Sequence, residues 1–230
     1  MKSAVKWLAR KAGFEIVNLR KPGNTNLFPR DFAPSMVHTC LRVRPYTMTS
    51  PERVFGLVKA VEYVLRCNIA GSFVECGVWK GGSSMAVALT LLKAGVTDRD
   101  MYLFDTFQGM TQPVQADGEY ANSEWAKHQL NTHNAWAYAP LGEVKANMRS
   151  TDYPPERIHY IVGKVEDTLP ASAPDQIAVL RLDTDFYEST KQELIHLFPR
   201  LSPGGVLIID DYGTFEGARK AVDEYIKEKQ

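Results

Sequence analysis

From Gly71 to the end of the chain, short apolar runs alternate with amphipathic stretches of helical length. The apolar runs contain few polar positions, which is typical of strands that are covered on both faces of a sheet. Such strands separated by helices indicate a mostly parallel sheet with helices on both faces, a doubly wound α/β fold. In this fold, ligands bind at the carboxyl ends of the strands. The predicted strands are SFVEC, MYLF, RIHYIV, IAVLRL and GVLIID.

Apolar residues at helical spacing mark the segments between and around these strands. The longest such segment, TSPERVFGLVKAVEYVLRC, precedes the first strand. Its start fits a capping box of Thr49 and Glu52, and it fits equally well Ser50 as the cap with Pro51 at the first helical position. The other predicted helices are SSMAVALTLLKAG, ESTKQELIHLF and FEGARKAVDEYIKEK.

Two segments fall outside the alternation. Residues 1–46 are broken by several prolines and are predicted to be peripheral, beginning with a short basic helix. Residues 106–156 form a long insertion, rich in aromatic residues and histidines, after the second strand. A connection of this length is usually a binding loop or lid, so we expect a substrate lid with short helices, of which LGEVKANMRS is the best candidate. Residues 47–230 are predicted to form one domain.

The composition is that of a globular protein, with 44% hydrophobic and 23% charged residues. There are 27 basic and 27 acidic side chains, so the net charge gives no support for a nucleic-acid or acidic-membrane partner. No apolar run has the length of a membrane span, and the basic N-terminus lacks the apolar core of a signal peptide. The three cysteines show no disulfide or zinc spacing. We therefore expect a cytoplasmic protein.

The turn ECGVWKGGSS joins the first strand to the next helix. Its glycines allow the backbone to approach a ligand closely, and the helix N-terminus at Ser83 offers free N–H groups. The spacing differs from the dinucleotide-binding G-x-G-x-x-G. Glu75 would repel a pyrophosphate but suits a cationic or amino-bearing ligand. A tight turn that simply requires glycine is the structural alternative.

Two further acidic positions suit a nucleoside. Asp105 ends the second strand, where an acid is placed to accept hydrogen bonds from ribose hydroxyls; a solvated loop aspartate is the alternative. Asp167 follows the third strand in GKVEDTLP. It could accept from an adenine amino group, and a capping role for a short turn at Thr168 explains it equally well.

Four aspartates follow the last two predicted strands: Asp183 and Asp185 after IAVL, and Asp210 and Asp211 after GGVLII. Neighbouring parallel strands lie about 5 Å apart, so carboxylates at corresponding ends can converge. Convergent carboxylates raise one another's pKa unless a cation lies among them, and an all-oxygen site suits Mg²⁺. Acidic strand ends that face solvent are the alternative.

The segments FVECGVWKGGSS, YLFDTFQGM, VEDTLP, LRLDTDFYEST and GGVLIIDDYG occur in this order. In sequence and order they resemble the macrocin O-methyltransferase (TylF-like) family, and the resemblance extends from about Thr47 to Tyr225. Members of that family depend on S-adenosylmethionine and Mg²⁺ and methylate hydroxyls, typically on deoxysugars of antibiotics. The resemblance implies a Rossmann-like methyltransferase domain over residues 47–230 and a small hydroxylated natural product as the substrate.

The resemblance also implies roles for individual residues. Asp185 would be the general base that takes the proton of the acceptor hydroxyl. Thr47 and Met48 match a segment that folds over the cofactor. The implied metal ligands are Asp183, Asp210 and Asp211. The implied cofactor residues are Glu75, Gly77 and Ser83 for the methionine end, Asp105 for the ribose, and Glu166 and Asp167 for the adenine.

Members of the family commonly continue past the helix that matches 214–228 with a final β-hairpin, which this sequence does not show. We therefore expect a sheet without that hairpin, which is either shorter or covered at its edge by another chain. Because an uncovered strand edge promotes association, a homodimer or higher homo-oligomer is expected.

Two other functions remain open. Asp183-Thr184-Asp185 is also a D-x-D pattern, by which many glycosyltransferases hold a metal and a nucleotide sugar. That interpretation leaves the ECGVWKGG turn and Asp105 without a role. A non-catalytic, cofactor-binding relative on the same fold is the second alternative, and the intact set of aspartates argues against it.

Overall fold

The computed structural model describes residues 28–229. The chain divides into two compact units, one up to Arg42 and one from Val43 onward. In the first unit, the described residues carry most of helix α1 (Pro34–Val43). The short basic helix predicted at the N-terminus lies outside the described residues.

The second unit is built around a five-stranded sheet in which every pair of neighbouring strands is parallel, in the order β3-β2-β1-β4-β5. The strands are β1 (Ser72–Cys76), β2 (Met101–Asp105), β3 (Ile158–Val162), β4 (Ile177–Leu182) and β5 (Leu201–Ile209). The helices are α2 (Pro51–Arg66), α3 (Gly82–Lys93), α4 (Gly118–His128), α5 (Leu141–Arg149), α6 (Val165–Thr168), α7 (Tyr187–His196) and α8 (Glu216–Lys229). The predicted doubly wound α/β class is confirmed.

Helix α2 begins at the second of its two predicted starts. The Ser50 hydroxyl accepts a hydrogen bond from the Arg53 N–H at 3.4 Å, and Pro51 occupies the first helical position, where a missing N–H has no cost. Its apolar face is buried as the spacing predicts, with Val61 and Val64 fully inaccessible to solvent.

Strand β5 is longer than its predicted segment. Leu201 pairs with Ile177, and the next pair is Val206 with Val179, so the residues between 201 and 206 bulge out of the ladder. This stretch contains Pro203, which has no N–H to donate and is tolerated because β5 is an edge strand. Among residues 28–229, no further strand pairs with the outer edge of β5.

The core lies between the sheet and the helices that cover it. Strand β4, which lies between β1 and β5, is buried along its whole length, and its side chains share a cluster with those of α7 and α8. Each fully buried aliphatic side chain contributes about 2 kcal/mol to folding. The cluster includes Cys76, Phe104, Ile177, Leu180, Leu182, Leu194, Leu197 and Val222.

The register brings the carboxyl ends of the central strands together. Cys76 is level with Leu182, and Leu182 with Ile209. The Asp183 N–H donates to the Cys76 carbonyl, and the Asp210 N–H to the Leu182 carbonyl, both at 2.9 Å. Asp183 and Asp210 therefore leave the sheet side by side.

The insertion carries helices, as predicted. LGEVKANMRS forms α5, and GEYANSEWAKH forms α4 after a 3-10 turn at Gln115–Asp117. Along the described part of the chain, no helix combines the length and the apolarity that a membrane crossing requires.

Candidate active site

A cavity of about 330 Å³ opens at the carboxyl edge of the sheet. Side chains from the ends of β1, β2, β4 and β5 and from the insertion line it. Because strands of a parallel sheet end at one edge, residues far apart in sequence meet here. The predicted site residues that line the cavity are Thr47, Met48, Glu75, Gly77, Ser83, Asp105, Glu166, Asp183, Asp185, Asp210 and Asp211.

Asp167 does not line the cavity. It lies on the single helical turn α6, next to Glu166, and its side chain is exposed. Glu166 is the acid of this pair that faces the cavity. Its Oε2 atom is buried and has no hydrogen-bond partner within residues 28–229, and burial raises its pKa. A buried acceptor of this kind suits a ligand that brings a donor.

Gly77 allows the first turn to pass directly beneath the end of β4. Its φ is +82°, and a Cβ atom there would lie 1.9 Å from the Asp183 carbonyl oxygen. No other residue fits without moving one of the two strands. At this point the backbone of the turn contacts the backbone at the end of β4 directly, with no side chain between them.

Asp105 fastens the same turn from the β2 side. Its Oδ2 accepts from the N–H groups of Val78 and Trp79 at 2.7 and 3.0 Å, and its Oδ1 accepts from the Phe107 N–H at 2.7 Å. Burial raises the pKa of Asp105, while these three donors stabilise the ionised form. Asp105 also lines the cavity, where a ligand hydroxyl can donate to it.

Arg181, which the sequence analysis missed, connects the two acidic sides of the cavity. It is 3% exposed, and its Nη1 donates to Glu75 Oε1 and to Asp183 Oδ2, each at 2.7 Å. Its Nη2 lies 3.2 Å from Asp210 Oδ1 and donates to the Thr49 hydroxyl at 3.0 Å. The available signal was a single arginine within the apolar strand IAVLRL, because a buried arginine needs anionic partners.

The Glu75 carboxylate therefore already has hydrogen-bond partners within the protein before any ligand binds. Besides Arg181, it accepts a hydrogen bond from the Ser84 hydroxyl in the first turn of α3. Desolvation raises the pKa of Glu75, against the lowering effect of Arg181 and Ser84. It lines the cavity as a nearly buried carboxylate, which suits a positively charged amine.

The three predicted metal ligands converge. Asp183, Asp210 and Asp211 each offer an oxygen, and these atoms lie within 4.8 Å of one another. Burial and mutual repulsion raise the pKa of Asp183 well above its usual value, against Arg181, and burial likewise raises that of Asp211. Arg53 adds a second ion pair, with its Nη1 2.9 Å from Asp210 Oδ2. An all-oxygen set of this charge fits Mg²⁺.

Asp185 lies beside this cluster in an unusual backbone conformation. Its φ is +67°, which is uncommon for a residue other than glycine and is often found at functional sites. Its N–H donates to Asp211 Oδ2 at 3.1 Å. Burial, followed by the charge of Asp211, raises the pKa of Asp185 well above its usual value. The Asp185 carboxyl group therefore binds a proton more readily than an exposed aspartate does.

Glu193 holds the loop between these aspartates from below. It is fully buried on α7, and its Oε1 accepts from the Thr184 hydroxyl at 2.9 Å. Its Oε2 has no hydrogen-bond partner among the described residues, and burial raises its pKa well above the usual value. A carboxyl group in this position is stable in its protonated form.

Aromatic side chains of the insertion form part of the wall of the cavity. The Trp136 ring centroid lies 6.0 Å from that of Phe186, 6.2 Å from that of Phe215 and 6.5 Å from that of Tyr120. Trp136, Tyr120 and Phe215 line the cavity. The sequence predicts a substrate lid here but not these partners, because the contacts of Trp136 join three separate parts of the chain.

The parallel sheet and the cavity at its carboxyl edge define a Rossmann-like methyltransferase architecture. The solved structure of the O-methyltransferase NovP is similar, with a TM-score of 0.70 and 36% identity, covering 80% of this chain and 74% of that chain. The macrocin-O-methyltransferase family profile matches residues 40–230, and the chain belongs to this family.

Named relatives agree with this assignment. The chain is 39% identical over 199 residues to a tetracenomycin 4'-O-methyltransferase of Streptomyces olivaceus, covering 86% of this chain and 71% of that protein. It is 37% identical over 180 residues to demethyldecarbamoylnovobiocin O-methyltransferase of Streptomyces niveus, covering 78% and 67%. The prediction of an O-methyltransferase is confirmed, which leaves the glycosyltransferase alternative without support.

Proposed function

We propose that the protein transfers a methyl group from S-adenosylmethionine to a hydroxyl of a small natural product, most specifically to a sugar hydroxyl, with Mg²⁺ bound. The sugar is supported by the name of the Streptomyces olivaceus relative, which acts on a rhamnosyl tetracenomycin. It is supported also by the open aromatic wall, because rings such as Trp136 offer an apolar face beside the polar cluster.

The cofactor would occupy the side of the cavity formed by β1, β2 and α6, and it supplies an electrophilic methyl group. Its methionine end would lie at Glu75, Gly77 and Ser83, where a nearly buried carboxylate suits the amino group and the α3 N-terminus suits the carboxylate. Thr47 and Met48, which line the cavity from the segment before α2, would cover it.

The nucleoside part of the cofactor would lie further along the same edge. Asp105, which lines the cavity, would accept a hydrogen bond from a ribose hydroxyl. The adenine amino group would reach the Glu166 Oε2, the buried acceptor that lacks a partner within residues 28–229. The exposed Asp167 does not line the cavity, so it would affect adenine binding only through its charge at a distance.

The acidic side of the cavity would bind the metal through Asp183, Asp210 and Asp211. Mg²⁺ in such a site lowers the pKa of a nearby hydroxyl. Asp185 would receive the proton, because it lies beside this cluster with its N–H donating to Asp211 Oδ2 at 3.1 Å. Arg181 and Arg53 fix the carboxylates in place and limit their repulsion before the cation binds.

The observation that carries the proposal is the meeting of a glycine turn and three convergent aspartates in one cavity. The direct test has two arms. Calorimetry with S-adenosylhomocysteine measures cofactor binding, and methyl transfer from labelled S-adenosylmethionine is measured over a panel of glycosides and phenols, with EDTA and with Mg²⁺ restored.

We expect binding of S-adenosylhomocysteine, transfer to a glycoside, loss of transfer in EDTA and recovery with Mg²⁺. Absence of S-adenosylhomocysteine binding would sink the proposal. Binding without transfer to any acceptor would favour the non-catalytic relative. Methyl transfer that persists in EDTA would contradict the proposed metal dependence. Methyl transfer to phenols alone would contradict the proposed sugar acceptor.

A further inference from the structure

The insertion is joined to the loop that carries Asp185 by one buried carboxylate. Asp117 ends the 3-10 turn of the insertion and is 5% exposed. Its Oδ2 accepts from the Val114 N–H at 2.7 Å, within the insertion, and its Oδ1 accepts from the Tyr187 N–H at 2.6 Å. The two oxygens of one side chain therefore bridge two segments that are 70 residues apart in sequence.

The Tyr187 N–H has a particular place in the chain. Tyr187 is the first residue of α7 and follows Asp185 by two positions. The first N–H groups of a helix have no partner inside the helix, and a negative charge at this end is favourable. Asp117 supplies both the acceptor and the charge, so it fixes the end of the Asp185 loop from the insertion side.

Helix α8 leaves room for this contact only because residue 217 is glycine. A Cβ atom on Gly217 would lie 1.8 Å from Asp117 Oδ1 and 2.8 Å from the Tyr187 nitrogen. The carboxylate is thus enclosed by three elements: the insertion, the start of α7 and the start of α8. Water has little access to a group that is 5% exposed, so a lost bond there would not be replaced by solvent.

A second contact follows the same path. Trp136 of the insertion packs against Phe186, the residue between Asp185 and Tyr187, and against Phe215 before α8. Phe186 and Phe215 also meet edge to face, with centroids 6.2 Å apart. The aromatic wall and the Asp117 bridge therefore connect the same three elements, one through apolar packing and the other through hydrogen bonds.

We propose that Asp117 is a positioning residue that locks the insertion to the Asp185 loop. Through this lock, the aromatic wall that includes Trp136 and Tyr120 keeps a fixed position relative to Asp185. The insertion would then act as a fixed wall rather than as the mobile lid expected from its length. The role in catalysis rests on the methyl transfer proposed above, whereas the lock itself does not.

The test combines Asp117→Asn, Gly217→Ala and the double variant. An asparagine must turn its NH₂ group towards one of the two N–H donors, and an alanine at 217 displaces the carboxylate without altering it. Hydrogen–deuterium exchange of the protein without added ligand is followed in residues 111–118 and 185–190. We expect both segments to exchange about tenfold faster or more in each single variant, and the double variant to add little.

Matched controls are Glu119→Gln, which removes an exposed charge two residues away, and Gly142→Ala, where a Cβ meets nothing within 4 Å. Both should exchange as the wild type does. For the acceptor identified in the screen above, the Asp117 and Gly217 variants should lose about tenfold in kcat/KM, with the KM for S-adenosylmethionine changed less than twofold.

Faster exchange confined to residues 111–118 would overturn the lock, as would additive effects in the double variant. Equal losses for the acceptor and the cofactor would mean general destabilisation and would overturn the positioning role. If the wild type methylates no acceptor, the proposed function fails, and the exchange measurement still decides the lock.

Discussion

The two halves of the cavity solve the problem of buried charge in different ways. On the β1–β2 side, Asp105 is surrounded by three backbone N–H donors at 2.7–3.0 Å, and its charge is balanced by the chain itself. On the β4–β5 side, Asp183, Asp210 and Asp211 converge, and Arg181 and Arg53 pair with the first two of them. The first half therefore needs no bound ion to stabilise the charge of Asp105. In the second, the carboxylates lie close enough to raise one another's pKa, which suits a site completed by a bound cation.

The difference also separates the expected roles. Backbone donors and a glycine turn are rigid and select shape, as a cofactor site requires. Three carboxylates whose oxygens lie within 4.8 Å of one another can bind and release a cation, as a metal-dependent reaction centre requires. Variants that disturb one half and spare the other can therefore separate binding from turnover.

The largest effect is expected from Asp185→Asn, which removes the proton acceptor and keeps the size of the side chain. We expect kcat to fall about 10²–10⁴-fold, with S-adenosylhomocysteine affinity within about twofold of wild type. Steady-state kinetics and calorimetry measure the two quantities. An Asp185→Asn variant that keeps its activity would show that the base lies elsewhere.

Arg181→Met should damage both halves at once, because this guanidinium joins Glu75 to Asp183 and Asp210. Removing one partner of a buried ion network leaves uncompensated charge and costs about 3–5 kcal/mol. Urea unfolding measures the loss. The matched control is Arg53→Met, whose half-exposed side chain pairs with Asp210 and should change the free energy of unfolding by less than about 1 kcal/mol. Equal losses in the two variants would contradict the bridging role of Arg181.

Gly77→Ala should affect the cofactor half first. The added Cβ would collide with the Asp183 carbonyl oxygen, and the positive φ adds strain of about 1 kcal/mol. We expect S-adenosylhomocysteine binding to weaken at least tenfold, measured by calorimetry, while Gly142→Ala leaves it unchanged. Unaltered binding would show that the turn does not shape the cofactor site.

The smallest effect concerns pH and Glu193. Burial raises the folded-state pKa of this carboxyl above its usual value of 4.5. Such a group favours folding when it is protonated, so its contribution is present below pH about 4.5 and is lost as the pH rises through the raised value. The free energy of unfolding of the wild type relative to Glu193→Gln should therefore fall as the pH rises from about 4.5 towards 8. The opposite slope, from urea titrations at several pH values, would show that Glu193 is stabilised as an anion.

The sheet was predictable because it depends on local pattern. All five strands lie within or overlap their predicted segments, and the apolar runs, the glycine turn and the strand-end aspartates are visible in the sequence. The choice between Glu166 and Asp167 was not predictable, since it depends on the rotation of one short helical turn.

The supporting residues were missed for another reason. Arg181 meets Glu75 across 106 residues, and Asp117 meets Tyr187 across 70. Such partners are selected by strand register and by the docking of the insertion, and neither is encoded in a local pattern. A lone charge in an apolar strand was the only visible sign of Arg181, while Asp117 resembled any turn aspartate.

We propose that a divalent cation completes the β4–β5 half of the cavity, whereas the β1–β2 half binds S-adenosylhomocysteine without an ion. Titration of Mn²⁺, followed by electron paramagnetic resonance, into metal-free protein with bound S-adenosylhomocysteine tests it most directly. We expect one ion per chain in the wild type and loss of that site in Asp211→Asn, with the bound S-adenosylhomocysteine retained in both. No bound ion in the wild type, or an ion that survives the loss of Asp211, would contradict the claim.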